Sequence, residues 1–525
     1  MTFFDAHCVL GRHGHWREPQ PASVPELLDV MDRLGIGQAL VTHCDSRAHH
    51  PAVGNRPAAE LTAGEPRLLP AWVLLPPGTA ETPQPEGIVG EFRAHDVKAA
   101  FLCPGTYGHG LEDWEVDSLL EPLAAAGVPV FLDGESGFPG WGYAYPLDSL
   151  DVEAAVRLAL RHPALPVVMT AFRFRRTNRR VACAMQRAPN LYMELSGWWF
   201  YKNVEFLCDL VGPERLLFGT RLPVHDPGAT KATVQYADIP QKAKSLIAGG
   251  NLRRLLSWDG EIRPETPAVP EDAPADELYA KAVAGADLFG ECFADGHAHV
   301  GFSSTYVVPD WSPDKLVRDM DRLGVERTCV FALSSDGGDD RPANDTVIEA
   351  QESYPGRLIG FARAGANRPV EEARAEWERC IRAGLRGIKL YTTDPEHLRA
   401  ACAIGQRERL IMVNHNWGEP EQLLELATDF PDAVLVTGHT RDDLAAVCRR
   451  AENVYVGTCP LIAFGAAERY VALYGAKRLL FGSDMSDLPI PWGLGPILYA
   501  DISEADKRAI LGGNLRRLLQ THSRP

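Results

Sequence analysis

Paired cysteines are the first thing this sequence lacks: its eleven cysteines are scattered and odd in number, and no C-x-x-C pair occurs. That excludes a disulfide framework and a cysteine zinc site of ordinary spacing, and points to a reducing, cytoplasmic setting. No apolar run is long enough to span a bilayer, so no membrane partner is expected. The N-terminus passes from Met1 straight into a strand-like stretch, residues 2–9, with no basic segment before an apolar one, so no secretory signal is expected either. Basic charge is also in deficit. With 53 Lys and Arg against 70 Asp and Glu the formal net charge is −17, and nucleic acid is not an expected partner because it calls for clustered basic residues. A small-molecule substrate is. No G-x-G-x-x-G opens a helix after the first strand-like segment, which removes the signature of a dinucleotide-binding open sheet.

What the sequence has is a second copy of itself. Phe4-Asp5-Ala6-His7 returns as Ala294-Asp295-Gly296-His297, and Met31-Asp32-Arg33-Leu34-Gly35 as Met320-Asp321-Arg322-Leu323-Gly324. Arg215-Leu216-Leu217-Phe218-Gly219 returns as Arg478-Leu479-Leu480-Phe481-Gly482, and GGNLRRLL stands at 249–256 and again, unchanged, at 512–519. Repeated anchors in one order mark a tandem duplication, and 525 residues with 45% hydrophobic content suffice for two cores. The spacing between matching anchors shortens along the chain, so the first copy carries the longer loops. The expected organisation is a first domain over 1–258, a second over 291–525, and between them, over 259–290, an acidic, Pro-rich linker and a lead-in helix at 277–288.

Each copy alternates short apolar runs with amphipathic stretches. In the second, strands are expected at 292–295, 327–332, 358–363, 387–391, 410–414, 433–437, 454–457 and 479–482. Helices are expected at 313–323, 370–383, 420–429 and 444–450. Eight such units in so short a stretch predict a closed parallel barrel, so the fold class is α/β, two tandem (β/α)8 barrels of TIM type. In such a barrel the chemistry lies at the carboxyl ends of the strands. His297 and His299 alternate around Ala298 at the end of the first strand, which sends both imidazoles to one side. His415 ends the fifth strand, His439 the sixth and Asp484 the eighth. Three imidazoles and a carboxylate suit a borderline ion such as Zn²⁺, with a position left open for water.

The segments Asp295-Gly-His297-Ala-His299-Val-Gly301, Gly387-Ile-Lys389-Leu-Tyr391, Val413-Asn-His415-Asn-Trp417-Gly418, Thr437-Gly-His439, Leu480-Phe-Gly482-Ser-Asp484 and Gly513-Asn514 span nearly all of the second copy. In these segments it resembles the amidohydrolase superfamily, in particular the mononuclear branch related to aminocarboxymuconate semialdehyde decarboxylase. The resemblance implies that His297, His299, His415 and Asp484 hold one divalent ion, Zn²⁺ or, according to supply, Mn²⁺, Fe²⁺ or Ni²⁺. It implies further that the ion acidifies its water, that Asp484 takes the proton, and that His439 polarises the substrate or acts as general acid. Lys389 has three readings. In binuclear relatives a lysine at the end of the fourth strand is carbamylated and bridges two metals; the others are anchorage of a substrate carboxylate and support of the barrel core.

The first copy departs from this pattern. Aligned on the anchors, His7 stands for His297, Val9 for His299, Phe101 for Lys389, Gly134 or Glu135 for His415, Phe172 or Ala171 for His439, and Arg221 for Asp484. An arginine in a ligand's place opposes a bound dication by charge, so a degenerate, metal-free barrel is expected. His13, His15, His225 and Glu135 are the residues left to rebuild a site, and the histidines read as solvated loop positions. The run Arg173, Arg175, Arg176, Arg179 and Arg180 reads as a solvated face, against an alternative in which it reaches a carboxylate-bearing substrate. Trp198, Trp199 and Trp417 either line a pocket or pack loops. The stretch 334–340 lacks the spacing of a calcium loop and reads as a lid.

The first functional expectation is hydrolysis of an amide, lactone or related C–N or C–O bond of a small molecule, by water that the ion activates. The alternatives are metal-dependent decarboxylation of an aromatic or enoic acid, and a biosynthetic cyclisation or dehydration. A scaffold role is confined to the N-terminal half. Many relatives are homodimers, so the tandem chain reads as an intramolecular pseudo-dimer, with further homo-oligomerisation open.

Overall fold

The computed structural model describes residues 1–12, 20–134, 150–260, 276–333, 339–365 and 367–522. The chain divides into two compact units, Met1–Ala273 with Ile462–Gly465, and Pro274–Leu461 with Ala466–Pro525. Each unit is a (β/α)8 barrel. The first is formed by β1 (Phe3–Leu10), β2 (Ile36–His43), β3 (Leu68–Leu74), β4 (Ala99–Leu102), β5 (Val130–Asp133), β6 (Val167–Thr170), β7 (Leu191–Glu194) and β8 (Leu216–Leu217), hydrogen-bonded in that order. The second repeats it with β9 (Phe293–Val300), β10 (Val325–Ala332), β11 (Leu358–Arg363), β12 (Gly387–Leu390), β13 (Ile411–Asn414), β14 (Val434–Thr437), β15 (Val454–Gly457) and β16 (Leu479–Leu480). All pairs are parallel, as the helical crossovers require.

Several strand ends differ from expectation, and the two that bear on the site differ for one reason. β9 runs on through both histidines, and β16 stops two residues early, because the barrel closes there. The Gly296 amide donates to the Phe481 carbonyl at 2.8 Å, and the Asp484 amide donates to the His297 carbonyl at 2.8 Å. These bonds pair the end of β9 with the irregular chain that follows β16. The lead-in helix is shorter than expected, Glu277–Ala284, and ends at Gly285 in the left-handed conformation. The linker at 261–275 lies outside the described residues.

The repeated GGNLRRLL string closes the bottom of each barrel. Leu515, Leu518 and Leu519 pack with Ala294, Phe331, Phe361, Val413 and Val436 in the second core, as Leu252 and Leu255 pack with Phe4, Phe101 and Phe131 in the first. Asn514 Nδ2 donates to the carbonyls of Ala476 and Leu479, both at 2.8 Å, and Asn251 does the same to Pro213 and Leu216 at 2.7 and 2.8 Å. These bonds hold the last strand's entry to the closing helix. A Cβ on Gly512 would lie 2.9 Å from the Ala294 amide, which is why this string tolerates no larger residue there. Among the described residues no helix is long and apolar enough to cross a membrane.

Candidate metal centre

β9 presents Asp295, His297 and His299 to the barrel mouth, and each is buried. Asp295 is a fastener: its carboxylate accepts from the amides of His297 and Ser483, both at 3.0 Å, and from Ser483 Oγ at 2.5 Å. It thereby locks the chain after β16 against β9 and sets where Asp484 points. Burial pushes the Asp295 carboxyl up to about 7, against those bonds. An aspartate stands two residues before the first-strand histidine in both copies, Asp5 before His7 and Asp295 before His297, a signal visible in the sequence whose role only the structure shows.

His297 Nε2 and His299 Nε2 lie 3.4 and 3.2 Å from the same oxygen, Asp484 Oδ1. His439 Nε2 meets His415 Nε2 at 3.0 Å, and the His415 and His439 rings stand 6.1 and 5.6 Å from that of His297. The ligand atoms of His297, His299 and Asp484 lie within 4.8 Å of one another, and so do those of His297, His415 and His439. His297 belongs to both sets. The structure therefore brings all the expected ligands together, with His439 as near to the centre as His415.

The electrostatics suit a cation. Burial lowers His297 well below the usual imidazole range, with Lys389 adding to the effect, and lowers His439 to about 4 against the pull of Asp484. Neutral rings keep lone pairs for a ligand. Burial opposes the charge on Asp484, but the bond from His299 and the His439 ring outweigh it and hold the carboxyl well below the usual range. Bonds of about 2.0–2.2 Å from nitrogen and oxygen to a shared divalent ion place ligand atoms no more than about 4.4 Å apart, which this spacing approaches. The donor set fits such an ion.

Lys389 Nζ is 3.4 Å from His297 Nε2, lies over the rings of Phe331 and Tyr391, and is lowered by burial to about 7. Three further residues join the mouth that sequence reasoning did not assign. Arg363 ends β11 beside Lys389, its guanidinium 4.7 Å over the Tyr391 ring and 3.8 Å from Asp340. Asp487, buried, exerts its charge on His299 and His439. Cys459 is buried against Asp484. A strand ending in arginine was the one visible signal. Asp340, read as part of a loop, is the buried first residue of the helix Asp340–Ser353, and 334–338 lie outside the described residues.

Strand register settles the comparison between copies. Followed from pair to pair, it sets Val73 against Arg363, Phe101 against Lys389, Glu194 against Gly457 and Leu217 against Leu480. It corrects one alignment. The partner of His415 is Asp133, not Gly134 or Glu135, and the partner of His439 is Ala171 rather than Phe172. Setting Gly134 in the place of His415 slips the strand by one residue, which turns every side chain to the wrong face.

In the first barrel the corresponding space is filled by an ion-pair network. Arg221 donates to Asp133 at 3.1 and 3.2 Å and to Thr170 Oγ1 at 2.6 Å. Arg47 pairs with the same carboxylate and reaches His7 Nε2 at 3.1 Å. Burial lowers His7 to about 4, and Arg221 adds to this. Thr170 Oγ1 and Ser196 Oγ both donate to Glu194, at 2.6 and 2.7 Å. His225 is not a solvated loop residue: it is buried 4.7 Å from Phe172 and 4.9 Å from Trp199. His13, His15 and Glu135 lie outside the described residues. Trp198, Trp199 and Trp417 are all buried packing, with the indole nitrogens of Trp198 and Trp417 donating to the Asn203 and Val436 carbonyls. Of the basic run, Arg176, Arg179 and Arg180 are exposed, while Arg173 lies over Trp199 at 5.0 Å.

Barrel, mouth and donor set together define a metal-dependent barrel enzyme. A family model described as Amidohydrolase matches residues 4–258 and 294–521, and the chain belongs to the amidohydrolase family. No curated protein sequence matches significantly. Solved structures similar to parts of the chain include an uncharacterised TIM-barrel protein from Bordetella bronchiseptica, at 18% identity over 44% of this chain and 99% of that one, TM-score 0.38. A 5-carboxyvanillate decarboxylase from Sphingomonas paucimobilis aligns at 15% identity over 49% and 98%, TM-score 0.38. A dihydroxybenzoic acid decarboxylase from Polaromonas sp. JS666, with bound manganese and an inhibitor, aligns at 16% identity over 44% and 97%, TM-score 0.34.

Proposed function

We propose that the second barrel holds one divalent metal ion through His297, His299, His415 and Asp484 and hydrolyses an amide, lactone or related C–N or C–O bond of a small molecule. The observation that carries this reading is the approach of two neutral imidazoles to one charged carboxylate oxygen, at 3.4 and 3.2 Å, inside a buried mouth. An ion bound there supplies Lewis-acid polarisation and an acidified water. The chain's own groups do the rest. Asp484, held charged, is a base within reach of a proton at the mouth. His439 offers a ring N–H to negative charge developing on a substrate oxygen. Lys389 and Tyr391 line the side of the mouth next to His415.

A second reading, decarboxylation of an aromatic or enoic acid, uses the same residues. It is favoured by Lys389 and Arg363, which stand side by side at the mouth where a carboxylate would be held. In either reading the first barrel is metal-free, because the guanidinium groups of Arg221 and Arg47 converge on the carboxylate that replaces His415.

The test is metal content per chain after purification without chelator, for the wild type and for His297→Ala with Asp484→Asn. A single equivalent, lost in the double variant, is expected, followed by turnover of members of an amide, lactone and aromatic-acid panel on metal restoration. Metal retained by the double variant, or none in the wild type, overturns the assignment.

A further inference from the structure

The cluster described so far draws on the first, fifth, sixth and eighth strands of the second barrel. A thiol fills the gap between the sixth and the eighth. Cys459 follows β15, the seventh strand, and is wholly buried. Its Sγ, a ring nitrogen of His439 and a carboxylate oxygen of Asp484 lie within 4.8 Å of one another, the same mutual spacing as the two sets that contain His297. The three sets share members and form one group of donors. Gly482 packs against both His297 and Cys459: a Cβ placed on it would lie 2.8 Å from His297 Cβ and 3.2 Å from Cys459 Cβ. Burial pushes the Cys459 thiol well above its ordinary range, and the Asp484 carboxylate adds to this, so only a bound cation would favour the thiolate.

The duplication offers an internal comparison. Counted on from the register-matched pair Glu194 and Gly457, Cys459 corresponds to Ser196 in the first barrel, whose hydroxyl donates to Glu194 at 2.7 Å. The thiol thus occurs in the barrel that has the imidazoles. A hydroxyl occurs in the one whose mouth holds Arg221.

We infer that Cys459 is a further ligand of this centre, a thiolate that closes the donor set on the seventh-strand side and biases it toward Zn²⁺ or Fe²⁺ over Mn²⁺ and Mg²⁺. The inference rests on the metal reading above. Ligation breaks the S–H bond: the electron pair stays on sulfur and is shared with the ion, and the proton leaves to solvent. Loading therefore releases one proton more than it does without the thiol.

The experiment strips the full-length protein, reloads it with Co²⁺, and records cobalt stoichiometry, near-ultraviolet absorption and proton release for the wild type, Cys459→Ser and Cys459→Ala. The wild type shows an intense sulfur-to-cobalt charge-transfer band. The serine variant keeps its cobalt, loses the band and releases one proton fewer. X-ray absorption of the zinc-loaded wild type, which needs no variant to fold, shows a sulfur shell at about 2.3 Å beside nitrogen and oxygen at about 2.0 Å. Cobalt bound without a band or sulfur shell, or a band that survives in both variants, overturns thiolate ligation and leaves the metal reading standing. Failure of the wild type to take up cobalt overturns the metal reading, and this inference with it.

Discussion

Asp484 and Arg221 share a backbone and differ in everything beyond it. Both residues have left-handed φ, +57° and +53°, and both amides donate to the carbonyl of the first-strand histidine at 2.8 Å. Such a conformation costs a non-glycine residue about 1–3 kcal/mol, and the cost is carried by both copies, so it belongs to barrel closure and not to metal binding. The side chain alone then decides between a carboxylate that faces the imidazoles and a cation that pairs with Asp133 in the corresponding space. A buried cation elsewhere in the first barrel gives a pH signature. Lys231 is buried over the Phe3 ring, with Gln235 accepting its hydrogen bond at 3.1 Å, and burial lowers it from 10.5 to about 7. Between those values the unfolded chain holds the proton and the folded chain does not, so stability rises with pH across that window. Below it both states are charged and the burial cost remains. Melting temperatures of Lys231→Met and wild type, compared from pH 6 to pH 10, are expected to differ most in the variant's favour at pH 6 and to converge toward pH 10. A constant difference would count against this account.

At the scale of elements, most of the barrel was legible. The strands at 358–363 and 454–457 and the helix at 420–429 were read to the residue, because each is an apolar run or stripe bounded by Gly, Pro or charge. What local pattern does not carry is a strand continued by partners far away in sequence. β9 extends over its histidines because residues 481–485 come back to pair with it. Register is the other hidden quantity, and it makes Asp133 the counterpart of His415. The closing element gives a direct prediction. Asn514→Ala leaves the buried carbonyls of Ala476 and Leu479 without their donors, and Asn251→Ala does the same to Pro213 and Leu216. Each substitution is expected to cost about 1–3 kcal/mol, read as a lower urea midpoint. A shift in one variant alone would mean that the repeated asparagine has different work in the two barrels.

At the scale of the whole molecule, the duplication gives one chain two versions of one mouth, one lined by imidazoles and one filled by ion pairs. If the second alone holds metal, chelation acts on one barrel. Metal at 100 times its dissociation constant stabilises the folded state by about 2.7 kcal/mol, and its removal is expected to speed amide hydrogen exchange in β9, β13 and β16. Exchange in β1 to β8 is expected to stay unchanged, and a matching acceleration there would show metal in the first barrel.

The sequence by itself determined the duplication, the (β/α)8 class, and the residue types at the strand ends, because repeats, apolar periodicity and the alternation of His297 with His299 are properties of neighbours along the chain. Tertiary structure alone decided that Asp295 fastens the closing loop, that Asp133 and Arg221 fill the first mouth, and that Arg363, Asp487 and Cys459 join the second. Those roles depend on side chains from different strands meeting in a closed barrel, and register and closure are set by hydrogen bonds between residues distant in sequence.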